Sequence, residues 1–166
     1  HGIRTAPLFV SRIEDNEGNV IATFQPRMNE VISAESANKM LVLLQGVVDG
    51  GTAGRLLYKY NFEGEIGGKT GTTNNNSDAW FIGFTPQLVS GVWVGGEDRD
   101  IHFDNMAMGQ GATMALPIWA YFMRKVYNDR TLGYSSKVKF DLPDGFDPCK
   151  NQDNDSSSNQ IDEVYE

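Results

Sequence analysis

Hydrophobic and polar positions change period several times along the chain, and each change marks an element. Leu8–Ile13 and Asn19–Phe24 are β-rich runs flanking Glu14-Asp15-Asn16-Glu17-Gly18, whose turn formers predict a hairpin. Gln25-Pro26-Arg27 breaks it. Ser33 then stands as an N-cap before Ala34, Glu35 and Ala37. Met40, Leu41, Leu43, Leu44, Val47 and Val48 give the helix that follows a wider apolar face than a surface helix needs. Asp49-Gly50-Gly51 stops it, and Gly51-Thr52-Ala53-Gly54 reads as loop. Phe62–Thr72 reads as extended despite its glycines, and Asn74-Asn75-Asn76-Ser77 as a polar turn. Ala79–Thr85 and Leu88–Gly95, parted by Pro86-Gln87, predict two buried antiparallel neighbours. Glu97–Asn105 is a charged loop. A second helix is predicted from Ala112 to about Asn128, with Met114, Ile118, Trp119, Phe122, Met123 and Val126 inward and Pro117 in its first turn. The order β-β-α-β-β-β-α predicts an α+β arrangement, an antiparallel β-sheet with flanking helices.

Composition narrows the class. A hydrophobic share of 40% and an aromatic share of 11% support a packed core, and 166 residues make one domain or part of a larger one. No run approaches the ~18 apolar residues of a membrane helix, and nothing at the start resembles a signal peptide. The opening His1-Gly2-Ile3-Arg4 lacks a methionine, so the chain reads as an excised piece whose targeting segment would lie upstream. The net charge of −8 is uneven: residues 141–166 hold eight acids and one lysine, whereas the first 140 hold 14 acids and 13 bases. The acidity belongs to the tail, and with no basic stripe anywhere, nucleic-acid binding is not expected. Residues 1–140 are read as the folded part and 141–166 as an acidic tail, disordered past about Asn151. Cys149 has no partner for an internal disulfide. His1 and His102 are too few and too isolated for a metal site. Asp153-x-Asp155 opens like a calcium loop but has Ser158 where glycine belongs and Val164 where glutamate belongs. No metal or organic cofactor is expected.

The candidate chemistry sits in Gly67-Gly68-Lys69-Thr70-Gly71-Thr72-Thr73. Strand alternation puts Lys69 and Gly71 on one face and Thr70 and Thr72 on the other or along the edge. Gly71 leaves open space beside the ammonium. One cation and several hydroxyls at a strand edge suit the anchoring of an anionic peptide end. A phosphate loop is the first competitor, since Gly68-Lys69-Thr70 ends like G-x-x-x-x-G-K-[ST]. Its opening glycine should fall at 63, where the chain has Glu63, and a helix should follow the threonine, where a turn is predicted. That reading is rejected. The other competitor is an ordinary solvated strand end, which is the better account of a Lys-Thr-Gly triplet taken alone.

Wider context decides against the plain strand end. Lys69-Thr70-Gly71-Thr72-Thr73, then Asp78-Ala79-Trp80-Phe81-Ile82-Gly83-Phe84-Thr85-Pro86, then Gly91-Val92-Trp93-Val94-Gly95 resembles the penicillin-binding protein transpeptidases, most closely the bifunctional class A enzymes. The Ser33–Val48 helix with Gly51-Thr52-Ala53-Gly54, and Gly109-Gln110-Gly111-Ala112 with Pro117-Ile118-Trp119, are similar to that family in the same order. The family's motif set is S-x-x-K, a serine-containing second motif and K-T-G. The resemblance implies an incomplete penicillin-binding or serine β-lactamase-like transpeptidase domain. It implies that Lys69 and Thr70 bind a terminal carboxylate, that Thr72 adds its hydroxyl there and its N–H to an oxyanion hole, and that Gly71 keeps the groove open. Trp80 is expected to pack beneath the strand rather than to touch substrate. The implied partners are a peptidoglycan stem peptide and β-lactams, with the rest of the same domain upstream and a membrane reached only through an anchor preceding this region. The implied location is the periplasm or the outer face of the plasma membrane.

The chain departs from the family where the nucleophile should be. A transpeptidase needs a serine and a lysine one helical turn apart. Ser36-Ala37-Asn38-Lys39 and Ser136-Lys137-Val138-Lys139 have that spacing. Ser36 lies too close before Lys69, in a first helical turn, and Ser136 falls beyond the last family-like helix. Both are read as decoys, and the nucleophile is expected upstream. The chain on its own is therefore expected to be inactive and to leave an apolar sheet face open. Two alternatives stay open. A serine β-lactamase or D,D-carboxypeptidase shares the Lys-Thr-Gly logic, and a non-catalytic module could use Lys69 to grip peptide carboxylates.

Overall fold

The computed structural model describes residues 2–150. His1, the expected unstructured tail past Asn151 and the calcium-like Asp153-x-Asp155 lie outside the described residues.

Two small ribbons lead the chain. β1 (Ile3–Thr5) pairs antiparallel with β4 (Met28–Glu30), and between them β2 (Arg12–Glu14) pairs with β3 (Val20–Thr23). The predicted hairpin is present but shorter. Asp15 caps its turn by accepting from the N–H groups of Glu17 and Asn19 at 2.9 and 2.8 Å. Leu8, Phe9 and Val10 stay outside the ladder and exposed. The β1–β4 pair was not expected, because no long run marks it.

α1 (Ala34–Asp49) begins as predicted: the Ser33 side chain accepts from Ser36 N–H, and the helix ends at Gly50. Its wide apolar face is only partly used, with Val48 buried but Met40 and Leu43 more than half exposed. α2 (Arg55–Tyr58) follows, one turn that carries no periodic signal. Of the expected extended segment Phe62–Thr72, only β5 (Gly67–Thr72) is strand. Asn61 (φ 52°) and Gly64 (φ 100°) take left-handed conformations that a ladder cannot use, yet Phe62 and Ile66 are buried core residues.

β5, β6 (Asp78–Phe84) and β7 (Val89–Gly95) form a three-stranded antiparallel sheet in that order. A 3-10 turn at Asn74–Asn76 joins the first two, with Asn75 (φ 61°) and Asn76 (φ 56°) left-handed. Asparagine tolerates that region better than most residues, which is why the polar run turns here. The short α3 (Met106–Gly109) and a turn precede α4 (Ala115–Asn128). α4 lies across β6 and β7, and α1 packs on β5.

The core is on the α4 side of the sheet. Phe81 and Trp119, both fully buried, meet edge to face at 5.4 Å and 84°, with Leu56, Leu116, Ala120, Met123 and Val126 around them. Trp119, Met123 and Val126 face inward as expected, but Ile118 and Phe122 are about half exposed, so the apolar stripe of α4 is wider than the surface it covers. The arrangement is α+β, with helices flanking an antiparallel sheet.

Candidate active site

β5 is an edge strand, and its pairing fixes which side chains share a face. Lys69 stands opposite Ile82 and Gly71 opposite Trp80, while Thr70 faces Phe81 and Thr72 faces Ala79. Directly opposed residues point the same way. Lys69, Gly71, Ile82 and Trp80 therefore occupy the face away from the Phe81 core, and Trp93, opposite Trp80, extends it. Ile82, Trp80 and Trp93 are 47%, 44% and 48% exposed. Trp80 is thus not beneath the strand but beside Gly71, where a Cβ on the glycine would come within 3.2 Å of its own Cβ.

Lys69 is exposed, and its ammonium folds back to donate to the Thr70 carbonyl oxygen at 2.8 Å. The three threonines have three different partners. Thr70 Oγ1 lies 2.9 Å from Thr52 Oγ1, in the loop after α1. Thr72 Oγ1 accepts from Gly111 N–H at 3.1 Å. Thr73 Oγ1 accepts from Asp78 N–H at 2.9 Å and faces Asp78 Oδ2 at 3.2 Å, closing the turn into β6. Thr72 and Lys69 are exposed, Thr70 and Gly71 half-buried.

Asp78 is the charged group that organises this end of the sheet. Trp93 Nε1 donates to its Oδ1 at 2.9 Å, and the Thr73 and Ser77 hydroxyls lie 3.2 and 3.3 Å from its Oδ2. The hydrogen bond from Trp93 above all, with those from Thr73 and Ser77 and the charge of Arg99, holds its carboxyl below the ordinary value against a smaller opposing effect of desolvation. In the sequence Asp78 is one residue of a longer motif with no task of its own; only the fold places it against Trp93.

A phosphate loop is excluded by this geometry, because β5 runs through a tight turn into an antiparallel strand and no α-helix follows Thr70. The two S-x-x-K spacings are not equivalent. Ser36 and Lys39 share a turn of α1, with the Ser36 hydroxyl 3.0 Å from that of Ser33 and Lys39 paired to Glu35 at 2.6 Å. Ser136 and Lys139 are in irregular chain beyond α4, so spacing gives them no common face. No group of three or more His, Cys, Asp or Glu able to hold a metal occurs among the described residues.

Residues 1–98 match the model of the penicillin binding protein transpeptidase domain. The chain belongs to that family. It is 36% identical to penicillin-binding protein 1A of Aquifex aeolicus over 125 residues, 75% of this chain and 16% of that protein. It is 35% identical over 159 residues to penicillin-binding protein 1A of Neisseria lactamica, 87% of this chain and 17% of that protein. The chain thus spans about one-sixth of the length of these curated relatives. Penicillin-binding protein 1A from Haemophilus influenzae superposes with a TM-score of 0.68 at 25% identity, covering 85% of this chain and 25% of that one. The D,D-transpeptidase domain of a peptidoglycan glycosyltransferase from Eggerthella lenta gives 0.54 at 22% identity over 78% of this chain and 29% of its own, a likeness of fold alone. The sequence thus corresponds to part of a class A penicillin-binding protein's transpeptidase domain, and its partial sheet and helices are those of a partial penicillin-binding fold. The family match includes β5, β6 and β7 whole.

Proposed function

We propose that β5 is one wall of a D,D-transpeptidase active site, in which Lys69, Thr70 and Thr72 hold the terminal carboxylate of a peptidoglycan stem peptide. The observation that carries this reading is that one edge strand inside the family match presents the exposed ammonium of Lys69 on one face and the exposed hydroxyl of Thr72 on the other, so that both flank its unpaired edge. Thr72 N–H would complete an oxyanion hole; losing one such donor costs about 2.7–4 kcal/mol of barrier.

The reaction is acyl transfer. A serine hydroxyl supplied by an upstream segment attacks the D-Ala–D-Ala carbonyl, and D-alanine leaves with a proton. An amine on a neighbouring strand then displaces the serine from the ester, and the serine regains its proton. A β-lactam acylates the same serine. The parent is placed on the outer side of the plasma membrane, where its polymer substrate is, through an anchor that precedes this region together with a glycosyltransferase domain. Among the described residues no helix is long and apolar enough to cross a membrane. The open sheet face and the half-exposed α1 face support an upstream portion of the same domain as their cover.

Labelled penicillin tests the reading. The full-length protein should take up one label per chain at a serine outside residues 1–166, and the 166-residue chain alone should take up none. Stable labelling of Ser36 or Ser136 in the isolated chain would overturn it.

A further inference from the structure

The loop that leads into α4 meets β5 with backbone rather than side chains. Gly111 donates its N–H to Thr72 Oγ1 at 3.1 Å. A Cβ built on Gly111 would collide with the Trp80 carbonyl oxygen and come within 2.6 Å of the Gly71 carbonyl oxygen and 3.2 Å of the Gly71 nitrogen. Only glycine lets the two backbones approach this closely. Two residues earlier, a Cβ on Gly109 would collide with the Asn76 side chain and stand 3.0 Å from Phe103 Cβ.

The loop is itself held at several points. Asn105 caps α3 by accepting from Met108 N–H at 3.0 Å. The Thr113 hydroxyl shares its single proton between the Met108 and Gln110 carbonyl oxygens, 3.1 and 2.9 Å away. Asn76 Nδ2 donates to the Phe103 carbonyl at 3.1 Å, and an Arg55 guanidinium N–H to that of Ala112 at 3.3 Å. Gly109, Gly111 and Ala112 are buried. A segment fixed in this way sets the position of the Thr72 oxygen instead of following it.

A hydroxyl has one proton and two acceptor lone pairs. With Gly111 N–H on one lone pair, the Thr72 proton cannot point at Gly111 and is left for an acceptor on the exposed side. Thr70 differs, because either member of its pair with Thr52 can be the donor. We propose that Gly111 is a positioning residue for Thr72, its N–H turning the Thr72 hydroxyl into an outward donor for the substrate carboxylate. Asn76 supports it by seating the loop. The inference rests on the reading of β5 as a carboxylate site; Gly111 and Asn76 touch no substrate.

The test compares acylation of the full-length enzyme by benzylpenicillin and by its methyl ester, which lacks the anion. Wild type should prefer the acid. Thr72→Val should lose about 10- to 100-fold of the acid rate, the range for a hydrogen bond to a charged group. Asn76→Gly, which keeps the left-handed backbone open to glycine, should lose about tenfold or more on the acid and leave the ester rate unchanged. Gly111→Ala, whose Cβ would press on the Trp80 and Gly71 carbonyls beside the Thr72 N–H, should slow both substrates, the acid by the larger factor. Thr72→Ser, which keeps the hydroxyl, should recover most of what Thr72→Val loses on the acid. Equal slowing on acid and ester, or no change, overturns the positioning role; if Gly111→Ala fails to fold, Asn76→Gly decides alone. A wild type with no preference for the acid sinks the carboxylate site itself, a separate outcome from variants that keep a wild-type preference.

Discussion

Trp93 and Asp78 are joined across the open end of the sheet, indole N–H to carboxylate oxygen, at 2.9 Å. They stand two residues out of register, since Asp78 pairs with Gly95 and Trp93 with Trp80. Gly95 is glycine for that reason: a Cβ there would lie 2.6 Å from the Trp93 ring and 2.7 Å from the Asp78 carboxylate. The bond fixes the indole beside Trp80, with ring centroids 6.4 Å apart, and so shapes the face that carries Lys69 and Gly71.

A pH dependence follows. Asp78 has a lower pKa folded than unfolded, chiefly because of the Trp93 hydrogen bond. Its stabilisation is therefore fully present above the unfolded value and is lost as pH falls through the folded one. Tryptophan emission should hold steady through neutral and mildly acidic pH and change only below the ordinary aspartate range. In Asp78→Asn that acidic step should be absent. An unaltered step in the variant would assign it to another group.

Gly83 should not accept a side chain. A Cβ there would lie 2.6 Å from the Trp119 ring and 2.8 Å from that of Phe81, both fully buried. Gly83→Ala overfills the core and should cost about 1–3 kcal/mol. Trp119→Ala empties it and should cost about 3–5 kcal/mol. Urea unfolding of both variants checks the order, and a neutral Gly83→Ala would mean that α4 sits further from the sheet.

Ser90 Oγ and Trp119 Nε1 are buried polar atoms without a hydrogen-bond partner. Ser90 pairs with Gly83, against which the Trp119 ring rests, so both belong to the same packed layer. A buried hydroxyl left unsatisfied costs about 1–3 kcal/mol. Ser90→Ala should then be neutral or stabilising in the same urea measurement. A loss of more than about 1 kcal/mol would reveal a bond to a bound water.

The sequence carried the central pieces because each had a strong local cause. Ser33 and Gly50 bound α1 by capping chemistry, and the β-rich runs Ala79–Thr85 and Leu88–Gly95 lie within one residue of β6 and β7. What local reasoning could not supply was anything set by distant partners. The one-turn α2 has no period, and Ile3–Thr5 becomes strand only because Met28–Glu30 lies beside it. Phe62 and Ile66 looked like strand residues, but they are buried in loop, where Asn61 and Gly64 break the extended path. At the site, alternation placed Lys69 with Gly71 correctly. The Gly111–Thr72 and Trp93–Asp78 bonds span 39 and 15 residues, and no spacing rule reaches them.

Lys69 is exposed, and its ammonium bonds to the carbonyl of Thr70 on its own strand. It therefore contributes little to the fold, and Lys69→Met should shift the unfolding midpoint negligibly. In the full-length enzyme the same change removes a charged donor from the proposed carboxylate site and should slow acylation by benzylpenicillin about 10- to 100-fold. Lys69→Arg restores charge but not a point-like ammonium and should recover only part. Wild-type acylation in Lys69→Met would remove Lys69 from the site.

The open sheet face has a consequence for the chain as it stands. Ile82, Trp80, Trp93 and Val89 all point away from the Phe81 core and are 44–66% exposed. β7 has no partner on its outer side among the described strands. An apolar sheet face beside an unpaired edge is a template for association. The 166-residue chain should therefore self-associate with rising concentration in sedimentation velocity. Ile82→Lys with Val89→Glu puts charge on the face without entering the core, and should return the chain to monomer while leaving its circular dichroism intact. If the unmodified chain stays monomeric at every concentration, this face needs no cover, and the case for an upstream portion of the domain lying over it fails.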